Sequence, residues 1–209
     1  MTILALEFSS DRRSVALARD GIVLSEAVEQ TGGRVTKAFD LIEKVLAEGK
    51  VSREAVEVIA VGLGPGSYTG IRAAIAVAQG WQLAREVKLL GVGSMEALAA
   101  QAQAEEIFGR VNVVVDAQRG EFYLGEWEIS ADTRVETSPL RIVTRTELAA
   151  HSKSGETCIG PTAQTVRHPA AAMVARMAVA REDFVPGERL QPIYLRETAF
   201  VKAAATRQL

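Results

Sequence analysis

The sequence predicts a two-lobed α/β protein in which a βββα-type unit is used twice, the second time in reduced form. Three observations carry this. Each half opens on a short apolar run with strand character that ends in an acidic residue, Glu7 in the first and Asp116 in the second. Each run is followed by further strand patterns and then by helical periodicity. In the first half a glycine-rich segment, Val61-Gly-Leu-Gly-Pro-Gly-Ser-Tyr-Thr-Gly-Ile-Arg72, joins an apolar run to a helix of small residues.

The elements follow in order. Residues 2–9 read as a buried strand, with two more strands at 14–18 and 22–28. Asp11-Arg12-Arg13 and Asp20-Gly21 supply the turns, and Asp-Gly is a strong hairpin signal. Ala38, Leu41, Ile42, Val45 and Leu46 recur at helical spacing, with Gly49 placed to stop the helix. A strand at 57–62, the glycine loop, a helix over 69–84, a strand at 88–92 and a helix at 94–103 complete a βββαβαβα order. The second half repeats it as βββαβα: strands at 111–116, 121–129 and 140–144, a helix at 146–152, a strand at 157–160 and an apolar helix over 169–179. Glu105-Glu106 and Gly109-Arg110 interrupt the apolar pattern, so the lobes are expected at 1–105 and 106–209. The less regular tail, 186–209, is expected to pack back on the first lobe.

At 209 residues and 48 % apolar the chain can bury a substantial core. A formal charge of −2 and a pI near 5.8 supply no basic footprint for a free-standing nucleic-acid binder. No apolar run approaches the roughly 18 residues that would span a bilayer. The first residues lack a basic n-region and enter a strand pattern at once, which predicts no signal peptide. Cys158 is the sole cysteine. A reduced, cytoplasmic protein is the expectation.

A strand feeding a helix through glycines can present backbone N–H groups to an anion. A nucleotide P-loop, however, needs a Lys after the last Gly, and here Ile71 and Arg72 follow Gly70. The dinucleotide fingerprint also fails, because Gly62, Gly64 and Gly66 fall at every second position. Two readings remain. In one, the loop is structural, with Ser67 or Thr69 capping the next helix and Pro65 fixing φ. In the other, N–H groups from Gly66, Ser67 and Thr69, with Arg72 nearby, hold an anion. The helix beyond carries Gly70, Ala73, Ala74, Ala76, Val77, Ala78 and Gly80, and is therefore narrow and apolar on several sides. It reads either as an internal core helix or as part of a subunit interface, with Trp81 a large apolar anchor.

Other chemistry is sparse. His151 and His168 stand outside any metal-ligand spacing and read as surface or capping residues. Cys158, in a short apolar run, reads as a buried small residue rather than a nucleophile. Glu7 and Asp116 could pair across an interlobe cleft and hold Mg²⁺ through water, or each could cap or salt-bridge a turn. Asp116-Ala-Gln-Arg-Gly-Glu121 reads as a self-satisfied turn between strands. No catalytic residue, metal ligand or cofactor is expected.

These segments together resemble a known family. Gly64-Pro-Gly-Ser-Tyr-Thr-Gly-Ile-Arg72, continuing to Ala78-Gln-Gly80, is similar to the signature of the TsaB (YeaZ) family. Val115-Asp-Ala-Gln-Arg-Gly-Glu-Phe-Tyr123 resembles its second-lobe hairpin motif, and Pro192-Ile-Tyr-Leu-Arg196 its C-terminal motif. The opening Ile3-Leu-Ala-Leu-Glu-Phe-Ser-Ser10 also fits, with Glu7 where the family more often has Asp. The resemblance runs from residue 2 to about 196 in the same order.

The resemblance implies an actin-like ATPase fold of the sugar kinase/Hsp70/actin class. It implies a noncatalytic role in making threonylcarbamoyladenosine at adenosine 37 of tRNA, as the dimerisation partner of a TsaD-like transferase, with a TsaE-like ATPase in the larger complex. It places tRNA contact in that complex; separately, the small-residue face of the second helix, if exposed, seeks burial and predicts a homodimer in the isolated chain. Family members pair through two first-lobe helices, here about 36–48 and 69–83, in a four-helix bundle; the matching interface residues are Leu41, Val45, Arg72, Ile75, Ala76 and Gln79. The family usually carries a His before the first of these helices, where this chain has Thr31-Gly-Gly-Arg-Val-Thr36. Two other activities stand beside this one: an actin-like ATPase or kinase using Glu7, Asp116 and the glycine loop, and a metallopeptidase, a label once attached to the wider family.

Overall fold

The opening apolar run forms β1 (Thr2–Glu7), buried along its whole length at the centre of a five-stranded sheet. The computed structural model describes residues 1–30, 37–153 and 156–195. β1 pairs antiparallel with β2 (Arg12–Arg19), and β2 with β3 (Ile22–Gln30). Between β2 and β3, Asp20 and Gly21 take φ of 49° and 83°. Two left-handed residues match the twist of the flanking strands, which is why Asp-Gly foretells a hairpin.

On its other side β1 pairs parallel with β4 (Val58–Gly62), and β4 with β5 (Lys88–Val92). Helix α1 (Ala38–Glu48) lies in the chain between β3 and β4, and α2 (Tyr68–Ala84) makes the β4–β5 crossover that a parallel pair requires. Helix α3 (Ser94–Ala104) leads to the second half. There β6 (Gly109–Asp116), β7 (Glu121–Ile129) and β8 (Arg134–Thr144) are antiparallel, α4 (Arg145–Lys153) follows, and β9 (Thr157–Gly160) and β10 (Thr165–Val166) run parallel to β6. Helix α5 (Ala171–Ala178) comes next. The sheets have the orders β3-β2-β1-β4-β5 and β8-β7-β6-β9-β10, which are the same arrangement. The duplication inferred from strand order is thus repeated in hydrogen-bonded topology.

Three details differ from the sequence expectation. β8 begins at Arg134 rather than near 140, because it is a half-exposed edge strand with little apolar alternation. β10 is only two residues long and leaves no periodic signal. The β9–β10 crossover is made by residues 161–164 alone, so the second lobe has no counterpart of α2.

Packing does not follow chain order. Leu4, Leu6, Val15 and Leu17 face α1 and α2, whereas Ile3, Ala5, Ala16 and Ala18 face α5. Small side chains on both sides let the backbone of α5, with Ala171, Ala175 and Ala178 buried, lie close to the first sheet. In turn Met95, Leu98, Ala99 and Ala102 of α3 pack on the second sheet against Val111, Val113, Tyr123 and Trp127. The last helix of each half therefore covers the other half's sheet, and a cut at residue 105 separates the sheets but not their cores. The chain beyond α5 also returns to the first lobe. Val185 N donates to Leu89 O (2.9 Å), Ile193 N to Leu63 O (2.8 Å), and Leu190 joins the α1–α2 core. Residues 196–209, and with them Arg196 of the C-terminal motif, lie outside the described residues. No helix among the described residues is long and apolar enough to cross a membrane.

Candidate functional site: a groove between two helices

The glycine loop is shaped by its contacts with the end of β1. A Cβ added at Gly66 would meet Ser9 O at 2.1 Å, and one at Gly70 would meet Phe8 O at 2.0 Å. Only glycine allows the loop and the first turn of α2 to lie that close to another backbone. Ser67 N donates to Ser9 O (2.7 Å), and Gly70 N donates to the Ser67 hydroxyl (3.3 Å), so Ser67 is the N-cap. One of the N–H groups that would have held an anion, that of Ser67, is thus already bonded within the chain. Arg72 does not face the loop either: its Nη1 donates to the Tyr68 hydroxyl (2.8 Å), and its guanidinium lies 5.2 Å from that ring. Of the proposed anion set, Gly66, Ser67 and Thr69 line one cleft, and Arg72 is turned to Tyr68.

Glu7 and Asp116 are also kept apart. Glu7 is fully buried; its carboxylate accepts from Ser9 N (2.7 Å) and the Ser94 hydroxyl (2.7 Å), and burial raises its pKa above 4.5. Ser94 in turn clamps the glycine loop, accepting from Gly64 N (3.0 Å) and donating its own N–H to Gly64 O (2.8 Å). Glu7 therefore joins β1, the loop and α3 from below. Asp116 instead lines an interlobe cleft of 520 Å³ with Ser9, Ser10, Asp11, Ser67 and Thr69. Asp116 accepts from the Gln118 N–H (2.8 Å), and Asp11 accepts from Gln30 Nε2 (3.0 Å). Among the described residues the charged side chains lining this cleft, Asp11 and Asp116, are both acidic.

The histidines are more engaged than a surface assignment allows. His151 Nδ1 lies 3.1 Å from Glu156 and 3.5 Å from Glu126. Both carboxyls titrate below their ordinary range: Glu126 chiefly through the Arg141 hydrogen bond, Glu156 chiefly through that of Asn112. His168 reaches across the lobes to Asp11 (3.3 Å). Cys158 is buried beside Val114, Phe122 and Val143. Among the described residues no group of three or more His, Cys, Asp or Glu is placed to hold a metal ion.

A strongly apolar concavity lies on the outer face of the first lobe, between α1 and α2. Helix α1 turns Ala38, Leu41, Ile42, Val45 and Leu46 inward, and α2 does the same with Gly70, Ile71, Ala74, Ile75 and Ala78. What remains between them is a groove of 560 Å³ lined by Phe39, Ile42, Ala76, Val77, Gly80, Trp81 and Ala84. Its rim is charged: Arg53 pairs with Glu43, and Arg85 with Glu54 (2.8 Å). Phe39 is 68 % exposed there, against the rule that a phenyl ring seeks burial.

The interface residues taken from the resemblance divide accordingly. Ala76 lines the groove and Arg72 is exposed near its end. Leu41, Val45 and Ile75 are 8 %, 0 % and 6 % exposed and pack in the lobe's own core, because the apolar stripe of each helix points at the sheet. Gln79 is half-buried and turned toward the returning tail, where its Nε2 donates to Gly187 O (2.8 Å). Sequence reasoning passed over Phe39 and Ala84, and named Val77 only as part of a narrow apolar helix. Phe39 did leave a signal, as the large apolar residue out of phase with the α1 stripe. The segment 31–36, where the family His would fall, lies outside the described residues.

A sheet of order β3-β2-β1-β4-β5, repeated as β8-β7-β6-β9-β10 with helices between, places the chain in the actin-like ATPase class of folds. Within that class the chain belongs to the family described as TsaD: tRNA N6-adenosine threonylcarbamoyltransferase, whose model matches residues 10–173. It is 31 % identical over 128 residues to the tRNA threonylcarbamoyladenosine biosynthesis protein TsaB of Escherichia coli, covering 61 % of this chain and 55 % of that protein. The TsaB protein of Bacillus subtilis is 29 % identical over 129 residues, 61 % of this chain and 56 % of its own length. The match thus spans just over half the length of these relatives. The solved structure of YeaZ from Pseudomonas aeruginosa superposes with a TM-score of 0.77 at 26 % identity, covering 93 % of this chain and 99 % of that one.

Proposed function

We propose that this chain is a noncatalytic subunit in the synthesis of threonylcarbamoyladenosine on tRNA, and that it acts by binding a TsaD-like transferase through the α1–α2 groove. The observation that carries this reading is the groove itself. An apolar channel beside an exposed phenylalanine and floored by Ala76 and Gly80 suits the close approach of a second pair of helices. The TsaB names of the relatives supply the pathway. The cleft supports the noncatalytic part, since Glu7 is sealed beneath the loop and Asp11 and Asp116 are held by their neighbours. A TsaE-like ATPase joins the larger complex, tRNA is met through that complex, and the isolated chain pairs with itself over the same groove.

The test is reconstitution. A TsaD-like transferase, a TsaE-like ATPase and the synthetase that supplies threonylcarbamoyl-adenylate are mixed with unmodified tRNA and labelled threonine, with and without this chain. Incorporation that depends on this chain, and no turnover by the chain alone, is the expected result. Equal incorporation without it would end the proposal.

A further inference from the structure

The two lobes cover equivalent sheet faces unequally. In the first lobe α1 and α2 lie side by side over the sheet, whereas in the second α4 lies alone and residues 161–164 cross where a helix could have packed. The uncovered area is a cavity of 540 Å³, within the roughly 300–1,000 Å³ range of small-molecule sites. Its floor is apolar: Val114, Phe122 and Cys158 are buried there, with Leu148 and Ala163 packed against them.

The mouth is polar and unequally charged. Arg119 and Arg145 line it, and neither forms an ion pair with a carboxylate among the described residues. Arg145 instead rests on Phe122, its guanidinium 5.3 Å from the ring centroid. The acid in the lining, Asp116, already accepts from the N–H and Nε2 of Gln118. Gln118 and Arg119 both take left-handed backbone, with φ of 65° and 60°, which holds Arg119 at the rim at some conformational cost. An apolar floor, with two guanidinium groups above it against the single carboxylate of Asp116, defines the complementary molecule.

We infer that this second-lobe cavity is a binding site for a small organic acid, with an aliphatic or aromatic body on the Phe122–Leu148 floor and a carboxylate held by Arg119 and Arg145. An arginine fork suits a carboxylate in two-point contact, and the low-dielectric floor strengthens that contact. The site is separate from the groove between α1 and α2, and it does not depend on the function proposed above.

The test uses the full chain with labelled Leu, Val and Ala methyl groups, titrated with 4-phenylbutyrate and, separately, with its uncharged amide. Saturable shifts at Leu148, Val114 and Ala163, with the amide weaker by about ten-fold or more, are expected. The double variant Arg119→Gln, Arg145→Gln should abolish that preference while keeping a folded methyl spectrum. Leu148→Trp, which fills the cavity, should abolish binding of both probes; Ala163→Trp fills it from the other wall if the first variant does not fold. Absence of saturation up to about 10 mM would overturn the inference. So would equal binding of acid and amide, or shifts confined to the α1–α2 groove.

Discussion

Glu7 shows how much of a single side chain's role the sequence leaves open. Of the two readings, a metal ligand paired with Asp116 or a cap on a turn, the structure has the carboxylate accept from Ser9 N two residues on, and it is fully buried with both oxygens used. Its hydroxyl partner, Ser94, stands 87 residues further along the chain, and no local pattern connects them. Removing the carboxyl in Glu7→Ala leaves Ser9 N and the Ser94 hydroxyl buried without it, and a loss of about 2–4 kcal/mol in urea unfolding is expected. The pH dependence follows from the direction of the shift. Below 4.5 the group is protonated in both states; as pH rises toward the raised native value, the unfolded chain ionises first and the native state loses relative stability. Glu7→Gln is neutral throughout, so the stability of wild type relative to Glu7→Gln should fall as pH rises above about 4.5 and level off once the native carboxyl ionises. A constant difference would show that Glu7 does not titrate in this way. At Ser67 the capping hydroxyl was legible as one of two choices, and Ser67→Ala should cost about 1 kcal/mol.

At the scale of elements, the helices themselves were readable, α1 from its apolar spacing and α2 from the run of small apolar residues that follows the glycine loop. Which residues face a partner was not. An amphipathic helix first satisfies its own lobe, so the regular stripe that identifies the helix is the part least available outside. The outward surface is made by residues that break the stripe, Phe39 and Ala76, and by Gly80. This separates two classes of substitution. Leu41→Ala and Ile75→Ala remove core side chains and should each cost about 2–4 kcal/mol of stability. Ala76→Arg, on an exposed position, should leave the unfolding free energy in urea within about 0.5 kcal/mol of wild type. Equal destabilisation by all three would place Ala76 in the core after all.

At the scale of the molecule, the duplication was legible because strand order survives in both halves. The exchange of α3 and α5 between sheets was not, since an alanine-rich helix fits either face and periodicity does not say which sheet it meets. The short β9–β10 crossover escaped notice for a related reason: a helix that is absent leaves no pattern. The exchange makes a strong prediction about folding. A fragment of residues 1–105 retains the first sheet but exposes Ile3, Ala5, Ala16, Val58 and Leu90 where α5 should lie. That fragment should bind hydrophobic dyes and lack a cooperative thermal transition, while the full chain unfolds in one. A stably folded, cooperative fragment would contradict the shared core.

The function proposed here depends on what occupies the groove between α1 and α2, and calorimetric titration of this chain into a purified TsaD-like transferase measures that directly. Wild type should bind one-to-one, Ala76→Arg should bind about ten-fold or more weakly because a charged side chain is forced into a close apolar contact, and Leu148→Trp in the distant second-lobe cavity should bind as wild type does. Unchanged affinity for Ala76→Arg, in a protein shown to be folded, would contradict the assignment of this groove as the site of association.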